Sequence, residues 1–162
     1  MFTEVKGQRS LVFKGLVQQL YSQFFVDCGA THSFVSLDFA RANHLPFEPV
    51  EQTSATLADG NGVSIHGVLK SLDVKFGAFR AKQDFLVVDI PQYDVVLGMD
   101  FLVRHNPRLS FQKRTMTFAF DTRWGHRTVG LQAVASDPCA HHELNSETFE
   151  LCSFDALSKT RH

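Results

Sequence analysis

The sequence predicts a mainly β fold, and three features carry that expectation. From Leu11 to about Phe120, short apolar runs are broken by turn residues at intervals typical of strands. Only two segments, after Ser36 and after Gly98, have the composition of short helices. Between them lies Asp59-Gly60-Asn61-Gly62, a run of residues that tolerate the positive φ of tight hairpin turns.

Leu11 to Val17 and Tyr21 to Val26 read as the first two strands, the second apolar enough to be expected buried on both faces. Gln18-Gln19 between them is poor turn chemistry, which leaves that boundary soft. Ser36 is suited to cap a helix of about two turns through Leu37, Phe39 and Ala40, ending near Asn43 ahead of Pro46. Thr53 to Leu57 and Val63 to Gly67 flank the glycine-rich turn as a projecting hairpin. Leu72, Val74 and Phe76 alternate up to Gly77, and Phe85 to Val88 forms another apolar run before Pro91, giving two further strands.

Tyr93-Asp94-Val95-Val96-Leu97-Gly98 reads as a buried strand ending on glycine. Met99 to His105 comes next as a helix with Asp100 in its first turn, stopped by Asn106-Pro107. Leu109 and Phe111 occupy odd positions, whereas Met116, Phe118 and Phe120 occupy even ones, so a solvated turn near Lys113-Arg114 must reset the register. The division expected is an N-terminal extension over 1–10, one folded domain over 11–120 and a polar tail or linker over 121–162.

Composition narrows the function classes. With 162 residues, 44% hydrophobic and 20% charged, the chain has enough apolar material for one packed core. A formal net charge of -1 supplies no overall positive field, so nucleic acid is not an expected partner. Apolar runs such as Phe24-Phe25-Val26 are far too short to span a bilayer. Cys28, Cys139 and Cys152 are odd in number and widely spaced, with no secretory pattern at the N-terminus. Reduced thiols and an intracellular, cytoplasmic location are therefore expected.

The residues that carry chemistry are Val26-Asp27-Cys28-Gly29-Ala30-Thr31. Here an acidic side chain stands where an apolar strand gives way to a glycine turn, and a carboxylate in such a place must find partners or shift its pKa. Asp-x-Gly alone is a weak motif, compatible with an ordinary turn. It gains meaning from the order of the segments C-terminal to it: a glycine-rich hairpin, then an apolar-apolar-Leu-Gly strand leading into a helix.

Phe25-Val26-Asp27-Cys28-Gly29-Ala30-Thr31-His32-Ser33-Phe34 resembles the active-site segment of retropepsins from gypsy-type retrotransposons. Leu57-Ala58-Asp59-Gly60 and the strand after it resemble their flap, and Tyr93 through Leu102, with Leu97 and Gly98 at its centre, resembles their second signature. The resemblance spans residues 11 to 120. It implies an acid-protease barrel with one short helix after the Leu-Gly strand and another after the active-site loop. It also implies Asp27 as the catalytic residue, Cys28, Gly29, Ala30 and Thr31 as its loop, and Ala58, Asp59 and Gly60 as substrate contacts.

Two carboxylates about 3 Å apart share one proton, so that one activates water while the other hydrogen-bonds the scissile carbonyl. Because no second Asp-x-Gly and no internal repeat is present, the resemblance implies a homodimer with C2 symmetry that cleaves an extended polypeptide such as a retrotransposon polyprotein. No cofactor and no metal are required. The alternative is a retropepsin-like domain without catalysis, acting as a dimerisation or peptide-binding module.

Cys28 motivates that alternative, since the family has Ser or Thr there and a thiol is a weak donor and acceptor for bracing two loops. A cysteine-nucleophile reading lacks an activating base in a recognised arrangement. Cys139, His141, His142 and Cys152 are chemically suited to zinc, but their spacing matches no recognised finger. His66 is expected to be structural.

Overall fold

The computed structural model describes residues 10–51, 53–56, 62–90, 93–134 and 153–156. Chain order is β1 (Val12–Val17), β2 (Leu20–Val26), β3 (Phe34–Ser36), α1 (Leu37–Ala42), β4 (Thr53–Thr56), β5 (Gly62–Phe76), β6 (Phe79–Val88) and β7 (Val95–Leu97). It continues through α2 (Met99–His105), β8 (Arg108–Ser110), β9 (Thr115–Thr122), β10 (Gly125–Gln132) and β11 (Ser153–Ala156). The mainly β expectation holds, and both short helices form where the sequence placed them.

β1 and β2 pair with Val17 opposite Leu20, so Gln18 and Gln19 form a two-residue turn. Their φ values are 48° and 64°. Paired left-handed residues match the twist of a hairpin, although glutamine has no intrinsic preference for them. Tertiary contacts offset that strain: the Gln18 amide donates to the Asp73 carbonyl at 2.8 Å, and the Asp73 amide donates to Gln18 Oε1 at 2.8 Å. β2 is not buried on both faces. Ser22, Phe24 and Val26 point into the core, while Phe25, half-buried, stacks on Tyr93 with ring centroids 4.4 Å apart.

In α1, the amide of Phe39 donates to Ser36 Oγ at 3.0 Å, the N-cap expected, and Leu37 and Ala40 face the core. The strands anticipated at Val63–Gly67 and Leu72–Phe76 are one long strand, β5. Its register against β6 shifts between Ile65 and Gly67 and again between Leu69 and Leu72. Ser71, at φ 55°, lies in the second irregularity, and its amide donates to Asp84 Oδ1 at 2.7 Å. Such bulges let a strand bend without ending.

That bend closes a barrel. The order β1-β2-β7-β3-β6-β5 returns to β1 through Leu16 opposite Lys75 and Val17 opposite Val74, and β4 continues the sheet beyond β5. Phe13, Phe24, Val74, Phe76, Phe85, Leu97 and Phe101 fill the interior.

A second sheet, in the order β11-β10-β9-β8, packs on the barrel through aromatic contacts. Phe118 of β9 stacks on Phe79 at 4.1 Å and on Phe76 at 5.4 Å. The expectation of a polar tail from residue 121 fails for β10, which pairs with β9 over its whole length. Val129 and Leu131 are 1% and 3% exposed, so an inward-facing pair is hidden within a polar composition. The turn at Lys113-Arg114 is solvated only at Lys113. Arg114 donates to the carbonyls of Ser10 and Val134, each at 3.0 Å, and fastens both flanks of the domain. Phe111, outside β8, is 69% exposed.

Candidate active site

Asp27 comes directly after β2, and the topology dictates what surrounds it. β7 lies between β2 and β3, parallel to the first and antiparallel to the second. The loop over residues 27–33 that joins β2 to β3 must therefore arch over the C-terminal end of β7. Val26 pairs with Leu97, and the Asp27 amide donates to the Leu97 carbonyl at 3.0 Å.

At that crossing the backbones nearly touch. A methyl group on residue 98 would sit 2.3 Å from the His32 carbonyl oxygen and 2.9 Å from that of Ala30. Glycine is required there for close approach, which accounts physically for Leu97-Gly98.

α2 begins at the same point without a side-chain cap. Its first amides have no partners within the helix. Those of Met99 and Asp100 donate instead to the carbonyls of Ala30 and Thr31, at 2.8 and 3.3 Å. The Asp27 loop is thus the cap of α2.

Within the loop, the Gly29 amide donates to Asp27 Oδ1 at 2.9 Å and the Ala30 amide to the Asp27 carbonyl at 3.2 Å. A methyl group on residue 29 would lie 3.2 Å from Asp27 Oδ1, so glycine keeps that approach open. Asp27 is half-buried, whereas Cys28, Gly29 and Thr31 are exposed. Thr31 Oγ1 and His32 Nδ1 are hydrogen-bonded at 2.9 Å.

Asp27, Cys28, Gly29, Ala30, Thr31, Leu97 and Gly98 thus converge on one place. Ala58, Asp59 and Gly60 lie outside the described residues, as do Cys139, His141, His142 and Cys152. The hairpin base is present, with Thr53 opposite Ile65 and Thr56 opposite Gly62.

Three residues of this site escaped the sequence reasoning. Ser33 Oγ donates to Asp100 Oδ1 at 2.6 Å and accepts from the Gly98 amide at 3.0 Å. Gln83 Nε2 donates to Asp100 Oδ2 at 2.9 Å. Ser33 and Asp100 stand within the two signature segments, but their pairing joins positions 67 residues apart. Gln83 carried one usable signal: a polar residue beside an apolar strand segment, buried only if it is hydrogen-bonded.

A family model described as the PEG10/RTL1 protease domain matches residues 23–126. The chain belongs to that family. The match covers the Asp27 loop, the hairpin, the Leu97-Gly98 crossing and β9, and it makes the chain a retropepsin-like domain.

The fold agrees with this membership. The retroviral protease-like domain of Ddi1 from Leishmania major superposes with a TM-score of 0.57 at 19% identity, covering 68% of this chain and 89% of that one. The EIAV protease, solved in complex with the inhibitor HBY-793, has a TM-score of 0.49 at 21% identity, covering 68% of this chain and 100% of that one. No curated protein sequence matches the chain.

Among the described residues, no group of three or more His, Cys, Asp or Glu side chains is arranged to hold a metal ion. No described helix is long and apolar enough to cross a membrane.

Proposed function

We propose that the domain is an aspartic endopeptidase active as a homodimer, with two Asp27 carboxylates facing each other across a two-fold axis. The observation that carries this reading is the arrangement of Asp27: half-buried, in a loop braced on Leu97 and α2, with one oxygen already accepting the Gly29 amide. A single carboxylate cannot both deprotonate water and donate to the scissile carbonyl. The chain contains one Asp-x-Gly segment, so the second carboxylate is supplied by another copy.

In the dyad, one carboxylate takes a proton from water as the other, protonated, hydrogen-bonds the carbonyl oxygen of an extended peptide. The shared proton belongs to the pair, so a pH profile reports macroscopic values for the dyad. The segment joining β4 to β5, whose sequence includes Ala58, Asp59 and Gly60, would cover the substrate and add strand-like hydrogen bonds. Segments of a retrotransposon-type polyprotein are the substrate class proposed.

The test is cleavage of a mixed peptide library between about pH 4 and pH 7, with and without pepstatin, on wild type and Asp27→Asn. Pepstatin-sensitive cleavage that disappears in the mutant supports the dimeric protease. An active Asp27→Asn protein would sink the aspartic mechanism. No cleavage by a concentrated, dimeric wild-type protein would favour a peptide-binding or dimerisation module instead.

A further inference from the structure

Gln83, on β6, is 2% exposed and takes no part in the chemistry proposed above. Its Nε2 donates to the Asp84 carbonyl and to Asp100 Oδ2, both at 2.9 Å, whereas its Oε1 is buried with no hydrogen-bond partner among the described residues. Reversing the amide would set Oε1 against two acceptors, so the Asp100 carboxylate dictates its orientation.

The chain of contacts continues inward. Asp100 Oδ1 accepts from Ser33 Oγ at 2.6 Å and from the Phe101 amide at 2.8 Å. Ser33 Oγ accepts in turn from the Gly98 amide at 3.0 Å, at the point where the Asp27 loop crosses β7. Each oxygen of Asp100 is therefore held by a donor from a different element, Gln83 on β6 and Ser33 at the end of the loop.

An orphaned buried acceptor is unfavourable, and an apolar side chain of similar shape would remove that cost. Glutamine at 83 is thus a poor choice for packing alone. It is a good choice for aiming a donor at Asp100. We infer that Gln83 is a positioning residue for the Asp27 loop, acting through Asp100 and Ser33 to hold that loop against Gly98. The effect on turnover rests on the aspartic chemistry proposed above; the effect on loop geometry does not.

The experiment uses the full chain with Gln83→Met, which keeps the length and loses the donor, and Gln83→Glu, which donates only when protonated. For Gln83→Met the unfolding temperature falls, because Asp100 Oδ2 loses its Gln83 donor, but the chain remains folded under the assay conditions. Its kcat falls about tenfold to a hundredfold with KM within about twofold, the scale expected when a reacting group is misplaced. For Gln83→Glu, the alkaline limb of the kcat profile moves to lower pH than in wild type, because the ionised carboxylate of that variant opposes Asp100. Hydrogen exchange at the Gly98 amide is faster in Gln83→Met by more than the change in global stability accounts for.

A wild-type kcat in Gln83→Met, or a kcat loss that only tracks lost stability, overturns the inference. So does unchanged Gly98 exchange. If the wild-type protein cleaves nothing, the proposed function fails by itself, and Gly98 exchange still decides whether Gln83 holds the loop.

Discussion

Gly98 and His32 approach so closely that a methyl group on residue 98 would lie 2.3 Å from the His32 carbonyl oxygen, and the obstructing atoms are backbone. Neither side can yield by changing a rotamer. Gly98→Ala must therefore push the Asp27 loop off β7. We expect a loss of about 1–3 kcal/mol, the usual range for overpacking, read as a lower denaturant midpoint at unchanged slope.

Cys28 is exposed, and its thiol has no hydrogen-bond partner among the described residues. A serine hydroxyl is a stronger donor and acceptor at the same volume class. If loop bracing across the proposed dimer limits activity, Cys28→Ser raises kcat and lowers the dimer dissociation constant. Sedimentation and cleavage assays on the two proteins check this together, and unchanged values in both would show that the thiol is no handicap.

His105 packs edge-on against Phe79 and lies 4.6 Å from the ring of Phe101, with Nε2 buried and unpaired. Burial, and secondarily the adjacent Arg104, push its pKa below the ordinary 6.5. The unfolded chain thus binds a proton near 6.5 that the folded chain refuses. Stability from this group is full above that pH and declines as pH falls through 6.5 toward the lower folded value. His105→Phe should flatten that part of the stability profile, measured by urea unfolding at successive pH values.

β10 buries Val129 and Leu131 against the same core that holds Phe118. A chain ending at residue 120 lacks both residues and leaves the core around Phe118 uncovered, and we expect it to unfold or aggregate, whereas a chain ending at residue 134 keeps the barrel. Phe118→Ala, in the full chain, should cost about 3–5 kcal/mol. Circular dichroism and thermal melts separate these outcomes.

Asp84 is held below the ordinary carboxylate range, first by the Ser71 amide, which outweighs the opposing effect of burial, with Lys70 adding to the lowering. Its contribution is present above the unfolded value of 3.8 and is lost as pH falls through the folded one. Asp84→Asn should remove that acid-side dependence and loosen the bulge at Ser71, seen as faster amide exchange there.

Much of the fold was legible along the chain because local rules agree with the global structure. Ser36 caps α1 and Met99 to His105 is a helix, since capping and helix termination depend on residues a few positions apart. The Asp27 loop and Leu97-Gly98 were legible as motifs for a related reason: a turn and a close approach constrain the residue type at each position. Where periodicity failed, distant groups were responsible. Gln18 and Gln19 take left-handed conformations because Asp73, on another strand, receives and supplies hydrogen bonds. Two apparent strands are one because Asp84 captures the Ser71 amide. The strand after residue 121 was obscured because only two of its inward positions carry large apolar side chains.

The sequence by itself determined a mainly β domain, the two helices and a single Asp-Cys-Gly turn, because strand periodicity, capping and glycine placement are local. Tertiary structure decided that β7 lies between β2 and β3, which forces the Asp27 loop across Gly98 and makes that loop the cap of α2. It also brought Gln83, Asp100 and Ser33 together, because hydrogen bonds between groups far apart in the chain exist only once the barrel has closed.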